Sequence, residues 1–184
     1  MVAAMGAVRA KWALILGASS GFGAATALEL ARKGMNICGV HLDRRSTADN
    51  AERVRSSIEN EGVEALFFNV NAADAGRRSE VVEALSRRCD PGDVGLLLHS
   101  LAFGSLVALV GDGEKDSVRP AQLAMTLDVM ANSLVYWSQE LLWRGLMGEG
   151  GRIVAMTSAG SARAMESYGP VSAAKAALEA YVRQ

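Results

Sequence analysis

Apolar runs of strand length alternate along this chain with longer stretches in which apolar residues recur at helical spacing. Helices covering both faces of a parallel sheet impose that alternation. Residues 12–16, WALIL, form the first apolar run, and a helical stretch over 22–33 follows, closed by Gly34 at its C′ position. Residues 36–42 predict a second strand, 47–60 a helix capped by Ser46 and ended by Gly62, and 65–70 a third strand. The order is βαβαβ, half of a Rossmann-type, doubly wound α/β fold. Residues 75–88 predict the next helix, Pro91-Gly92 turns the chain, and 94–98 is a fourth buried strand.

Past this point the pattern changes character. Leu101 to Arg119 contains Gly104, Gly111 and Gly113 with no clean period, which predicts a mobile rim beyond the carboxyl ends of the strands. Residues 120–147 predict one long helix that is apolar on nearly every face, including Leu127, Met130, Leu134, Trp137 and Leu141. Such a helix is covered on more than one side, so a dimer or tetramer is expected. A fifth strand over 152–157 and a helix over 171–184 complete the pattern. Residues 1–10 are expected to be an extension ahead of one domain over 11–184.

Composition narrows the function. With 19 Lys+Arg against 20 Asp+Glu the formal charge is −1, which offers no field for nucleic acid or an anionic membrane. Hydrophobic residues at 50% and only 3 prolines exclude a disordered or collagen-like chain. Cys38 and Cys89 each lie beside an apolar run and form no C-x-x-C pair, so reduced thiols, a cytoplasmic protein and no metal site are expected. No apolar span of about 20 residues predicts a membrane helix.

The first chemical signal is GASSGFG, directly after the first strand. Gly17 permits a sharp turn, Gly21 lets backbone approach a pyrophosphate, and Gly23 allows tight helix–strand packing, with Ser19, Ser20 and the Phe22 backbone at the helix N-terminus. A glycine-rich turn with no ligand is the plain alternative, and placement between strand and helix favours a dinucleotide. After the second strand, Asp43 suits a ribose 2′-hydroxyl and NAD, whereas Arg44 and Arg45 suit a 2′-phosphate and NADP. The paired arginines tilt this reading to NADP. Asn69, ending the third strand beside Val70, is placed for an adenine edge, with an ordinary strand-end asparagine as the plain alternative. His99, ending the fourth strand at the cofactor, reads as a hydrogen-bonded wall residue, and Ser100 and Leu101 offer backbone groups to the cofactor.

The second signal is TSAGSARAMESYGPVSAAKAALEA, beginning where the fifth strand ends. Gly169 before Pro170 is pushed from helical geometry, which leaves Tyr168 just outside a helix that contains Lys175. At a seven-residue separation the two lie about 20° apart around a helix and can face one cleft. An ammonium near a phenol favours the phenolate and suits it to proton transfer near neutrality. Ser158, at a strand's carboxyl end, can orient a substrate oxygen.

The glycine turn, Ser158, Tyr168 and Lys175 together resemble the short-chain dehydrogenase/reductase superfamily over Lys11 to Gln184. Two departures are similar to its enoyl-acyl carrier protein reductase branch. The tyrosine and lysine are spaced Y-x6-K, with Ser172 where the superfamily commonly has lysine, and His99-Ser100-Leu101-Ala102 replaces the usual Asn-Asn-Ala-Gly. The resemblance implies an NAD(P)H-dependent reductase of 2-enoyl thioesters in fatty-acid synthesis, carried on acyl carrier protein or CoA. It implies that Tyr168 bonds the thioester carbonyl and that Lys175 holds the nicotinamide ribose. Met130 stands where many members have a catalytic Asn, a departure that disfavours a carbonyl-type proton relay, and Asn132 is expected to face elsewhere. A 3-oxoacyl or other carbonyl reductase is the alternative, and a non-catalytic dinucleotide-binding protein the alternative of another class. The implied fold continues with two more strands and a substrate loop past Gln184, so the domain is expected to be incomplete there.

Overall fold

The computed structural model describes residues 11–184; the expected extension over 1–10 lies outside the described residues. The first half follows the pattern: β1 (Trp12–Leu16), α1 (Gly21–Arg32), β2 (Asn36–His41), α2 (Ala48–Glu59), β3 (Ala65–Asn69), α3 (Ala75–Ser86) and β4 (Val94–His99). The second half adds α4 (Pro120–Leu127), α5 (Ser133–Trp143), β5 (Arg152–Ala155) and α6 (Gly169–Arg183). All five strands are parallel, in the order β3-β2-β1-β4-β5. The order reverses between β1 and β4, and a crevice opens at their carboxyl ends.

Two apolar layers enclose the sheet, as side-chain alternation on β1 requires. Trp12, Leu14 and Leu16 pack with Val81 and Leu85 of α3, Trp137 and Leu141 of α5, and Val171 and Leu178 of α6. Ala13 and Ile15 face Ala27 and Ala31 of α1 and Ile58 of α2. Fully burying each of these larger side chains contributes roughly 1.5–3 kcal/mol.

Three local expectations are corrected. The long helix is interrupted by a π-helical turn, Asp128–Asn132, and ends at Trp143, because Gly145 takes φ +68 and reverses the chain. Thr47, not Ser46, caps α2, and it makes no side-chain cap bond; its hydroxyl donates to the Arg44 carbonyl. β5 is four residues long, as Met156 and Thr157 turn away to line a cleft. The glycine-bearing rim over 101–119 is tied to the body where Ser105 N–H donates to Thr126 Oγ1, and within itself where Val118 N–H donates to the Ala108 carbonyl.

Candidate active site

β1 delivers the chain straight into the glycine turn. Gly17 takes φ +93, and a Cβ there would lie 2.3 Å from the Ser100 carbonyl oxygen, so glycine alone lets the turn cross the end of β4. A Cβ on Gly23 would stand 2.0 Å from the Gly17 carbonyl oxygen, which is how closely α1 seats on the turn. Gly21, at φ +55, would project its Cβ into open space among the described residues, the clearance that a close-lying pyrophosphate would need. Ser20 is the N-cap residue of α1 and makes no side-chain cap bond, so the first-turn N–H groups are left to face an anion. Backbone donors, a positive helix end and clearance at Gly21 fit a pyrophosphate.

Beyond β2, Asp43 is nearly buried and hydrogen-bonded to His41. Burial pushes its carboxyl pKa up, but hydrogen bonds from Ser19, Thr47 and His41, with the charge of His41, together outweigh it and hold the group below the usual range. Arg44 and Arg45 are exposed. Asn69 accepts from the Asp43 N–H at 2.9 Å and donates to its carbonyl at 3.0 Å, so its amide braces this turn. Val70 N–H donates to the His41 carbonyl.

At the end of β4, His99 and its neighbours diverge. His99 has no exposed surface, and its Nε2 is 2.8 Å from Ser133 Oγ. Ser133 donates its own proton to the Val129 carbonyl, so Nε2–H of His99 is the donor and Nδ1 keeps a bare lone pair. Burial, then the Lys175 charge, lower the His99 pKa to about 4. The imidazole is therefore a neutral wall group sealed from the cleft, as its place at the end of a buried strand leads one to expect. Ser100 N–H donates to the Leu16 carbonyl, locking the two strand ends together, and both Ser100 and Leu101 line the cleft.

The cleft holds about 300 Å³ and is walled by Phe22, Leu101, Met130, Ser158, Tyr168 and Lys175 among others. Tyr168 is the N-cap residue of α6, set there by Pro170 in the first turn. Its hydroxyl donates to Ser158 Oγ at 3.1 Å, and Gly160 N–H donates to the same oxygen at 3.1 Å. Ser158 thus accepts twice and retains its own proton for an oxygen in the cleft. Lys175 is 5% exposed and donates to the Met156 carbonyl at 2.7 Å and the Leu101 carbonyl at 3.1 Å. Burial brings its pKa down to about 8. Two of its three ammonium protons are thereby spent and one is left for the cleft. Met130, buried, lines this space, while Asn132 bonds Asp128 and Tyr181 on another side.

Residues 17–184 match the family model described as enoyl-(acyl carrier protein) reductase. The chain belongs to this family, within the short-chain dehydrogenase/reductase superfamily. It is 28% identical over 175 residues to 1-cyclohexenylcarbonyl-CoA reductase of Streptomyces collinus, covering 95% of this chain and 58% of that protein. It is 39% identical over 92 residues, half of this chain and 34% of the relative, to the NADH-dependent enoyl-[acyl-carrier-protein] reductase FabI of Nostoc. A mutant short-chain dehydrogenase/reductase of Serratia marcescens superposes with TM-score 0.78 at 26% identity, over 93% of this chain and 65% of that one. The chain therefore spans about three-fifths of its first curated relative.

Against this short-chain dehydrogenase/reductase frame, sequence reasoning missed two contributors. The Met156 carbonyl anchors Lys175, a backbone contact that no side-chain motif announces. His41 braces Asp43, and its signal was present: residues two apart on an extended chain share a side.

Proposed function

We propose that this chain carries the dinucleotide-binding and catalytic groups of an NAD(P)H-dependent reductase of 2-enoyl thioesters on acyl carrier protein or CoA. The observation that carries it is the cleft itself. Tyr168 and Ser158 offer paired hydroxyls, while Met130 supplies thioether where a carbonyl-reducing relay needs a polar group. The glycine turn, Asp43 and Lys175 would hold the dinucleotide, which supplies a hydride when bound.

With substrate bound, the Tyr168 O–H would turn from Ser158 Oγ to hydrogen-bond the thioester carbonyl oxygen, stabilising the negative charge that develops there as the β-carbon is reduced. Ser158, held by Gly160 N–H, would keep the phenol poised before substrate arrives and then offer its own proton to the same oxygen. Lys175 would hold ribose hydroxyls with its remaining N–H. Exposed Leu106, Leu109 and Met165 would meet the acyl chain. Subunits would associate through α5, whose end exposes the large apolar side chains Leu142 and Trp143.

The Tyr168–Ser158 pair equally suits a ketone oxygen, so a 3-oxoacyl reductase is the second reading. Oxidation of NADH and NADPH with crotonyl and with acetoacetyl thioesters separates the two. Turnover with crotonyl thioester supports the proposal; turnover with acetoacetyl thioester alone overturns it.

A further inference from the structure

β2 ends at His41, and Asp43 stands two residues on, on the same side of the extended chain. His41 Nδ1 lies 2.7 Å from Asp43 Oδ2, with the two side chains 8% and 12% exposed. The imidazole is backed by the Phe67 ring, 6.0 Å away between centroids. An ionised carboxylate only accepts, so His41 Nδ1 donates. Asn69 clasps the Asp43 backbone at both its N–H and its carbonyl, so only the side-chain torsions remain free.

Asp43 stands twenty residues beyond Gly23, the offset at which an acidic residue takes a ribose 2′-hydroxyl. A hydroxyl can donate to that carboxylate; a 2′-phosphate, with negative charge and only acceptors, cannot. The neighbouring Arg44 and Arg45 are exposed and would pair with a phosphate. Cofactor choice then depends on whether the carboxylate stays tucked beside Ser19 or swings out to the arginines. His41 is the buried donor that opposes the swing.

We propose that His41 is a positioning residue for dinucleotide choice, holding Asp43 under the ribose site so that the chain prefers NADH over NADPH. The inference rests on the dinucleotide reading above and on no particular acyl substrate. The test is therefore binding, read from nicotinamide fluorescence on the full chain with no thioester present. The wild-type chain is expected to bind NADH about ten-fold more tightly than NADPH or better, and Asp43→Asn to bring the two near parity.

His41→Leu and His41→Gln both lack a donor at the Nδ1 position, and each is expected to shrink the ratio by about ten-fold. His41→Asn keeps a nitrogen donor there and is expected to restore it. Unfolding midpoints measured in parallel identify any variant that fails to fold, and His41→Gln, close to histidine in size, then carries the test. A ratio unchanged in both His41→Leu and His41→Gln, or wild-type preference for NADPH, overturns the inference. Binding of neither cofactor by the wild-type chain overturns the dinucleotide reading and this inference with it.

Discussion

At the scale of single residues, the cleft depends on groups whose ordinary behaviour burial has altered. Replacing Tyr168 with Phe removes the proton donor and leaves Ser158 held by Gly160 N–H. Turnover of the enoyl thioester is expected to fall by about 10²–10⁴, with the dissociation constant for NADH or NADPH unchanged. An unchanged rate would take Tyr168 out of the mechanism.

Lys175 makes a pH prediction of definite sign. Its pKa is about 8 in the fold against 10.5 unperturbed. Below pH 8 it is charged in both states and burial opposes folding; above 10.5 it is neutral in both. Between these values the unfolded chain holds the extra proton, so raising the pH favours the fold. Denaturant melts of wild type and Lys175→Met should show the stability difference moving toward wild type across that window. Turnover that needs the ammonium falls through the same range. Asp43, Tyr168 and Lys175 were legible because their residue types and spacing announce chemistry. The wall role of His99 was legible too, from its place at the end of a buried strand, but its partner Ser133 was not, because it lies on another element.

At the scale of elements, the glycine turn separates packing from ligand approach. Gly23→Ala forces a Cβ into the Gly17 carbonyl oxygen, so either the turn or α1 must move. Among the described residues, Gly21→Ala meets nothing within 4 Å and carries only the strain of φ +55, roughly 1–2 kcal/mol. Thermal melts should therefore rank Gly23→Ala well below Gly21→Ala, while dinucleotide titrations show both weakened. Equal melting points would refute the division of roles.

The π turn at Asp128–Asn132 is the counter-example at this scale. A helix with one wider turn keeps an apolar periodicity so close to that of an unbroken one that residues 120–147 read as a single helix. The shift in phase puts Met130 at the cleft and seats Trp137 in the core, where its indole N–H donates to the Ala72 carbonyl.

At the scale of the whole molecule, the sheet is covered unevenly. α1 and α2 protect the β1–β3 side of one face, while β5 is an edge strand with Ile153 and Val154 more than a third exposed. Trp143, 78% exposed, and Leu142, 52% exposed, end α5. Association through that end should appear in sedimentation as a mass above the monomer, and Leu142→Glu with Trp143→Glu should lower it. A wild-type chain that sediments as a monomer at every concentration would refute it. Among the described residues, no helix is long and apolar enough to cross a membrane.

The sequence by itself determined the strand and helix order, the glycine turn and the tyrosine and lysine spaced for one cleft. Each is written in neighbouring residues, through side-chain periodicity, chain reversal at glycine and proline, and helical pitch. Only the tertiary structure decided which groups meet: Lys175 on the Met156 and Leu101 carbonyls, His41 on Asp43, Asn69 on the Asp43 backbone, His99 walled off by Ser133. Most of these contacts join residues far apart in the chain. Burial lowers the pKa of Lys175 and of His99, and burial exists only once the layers have packed.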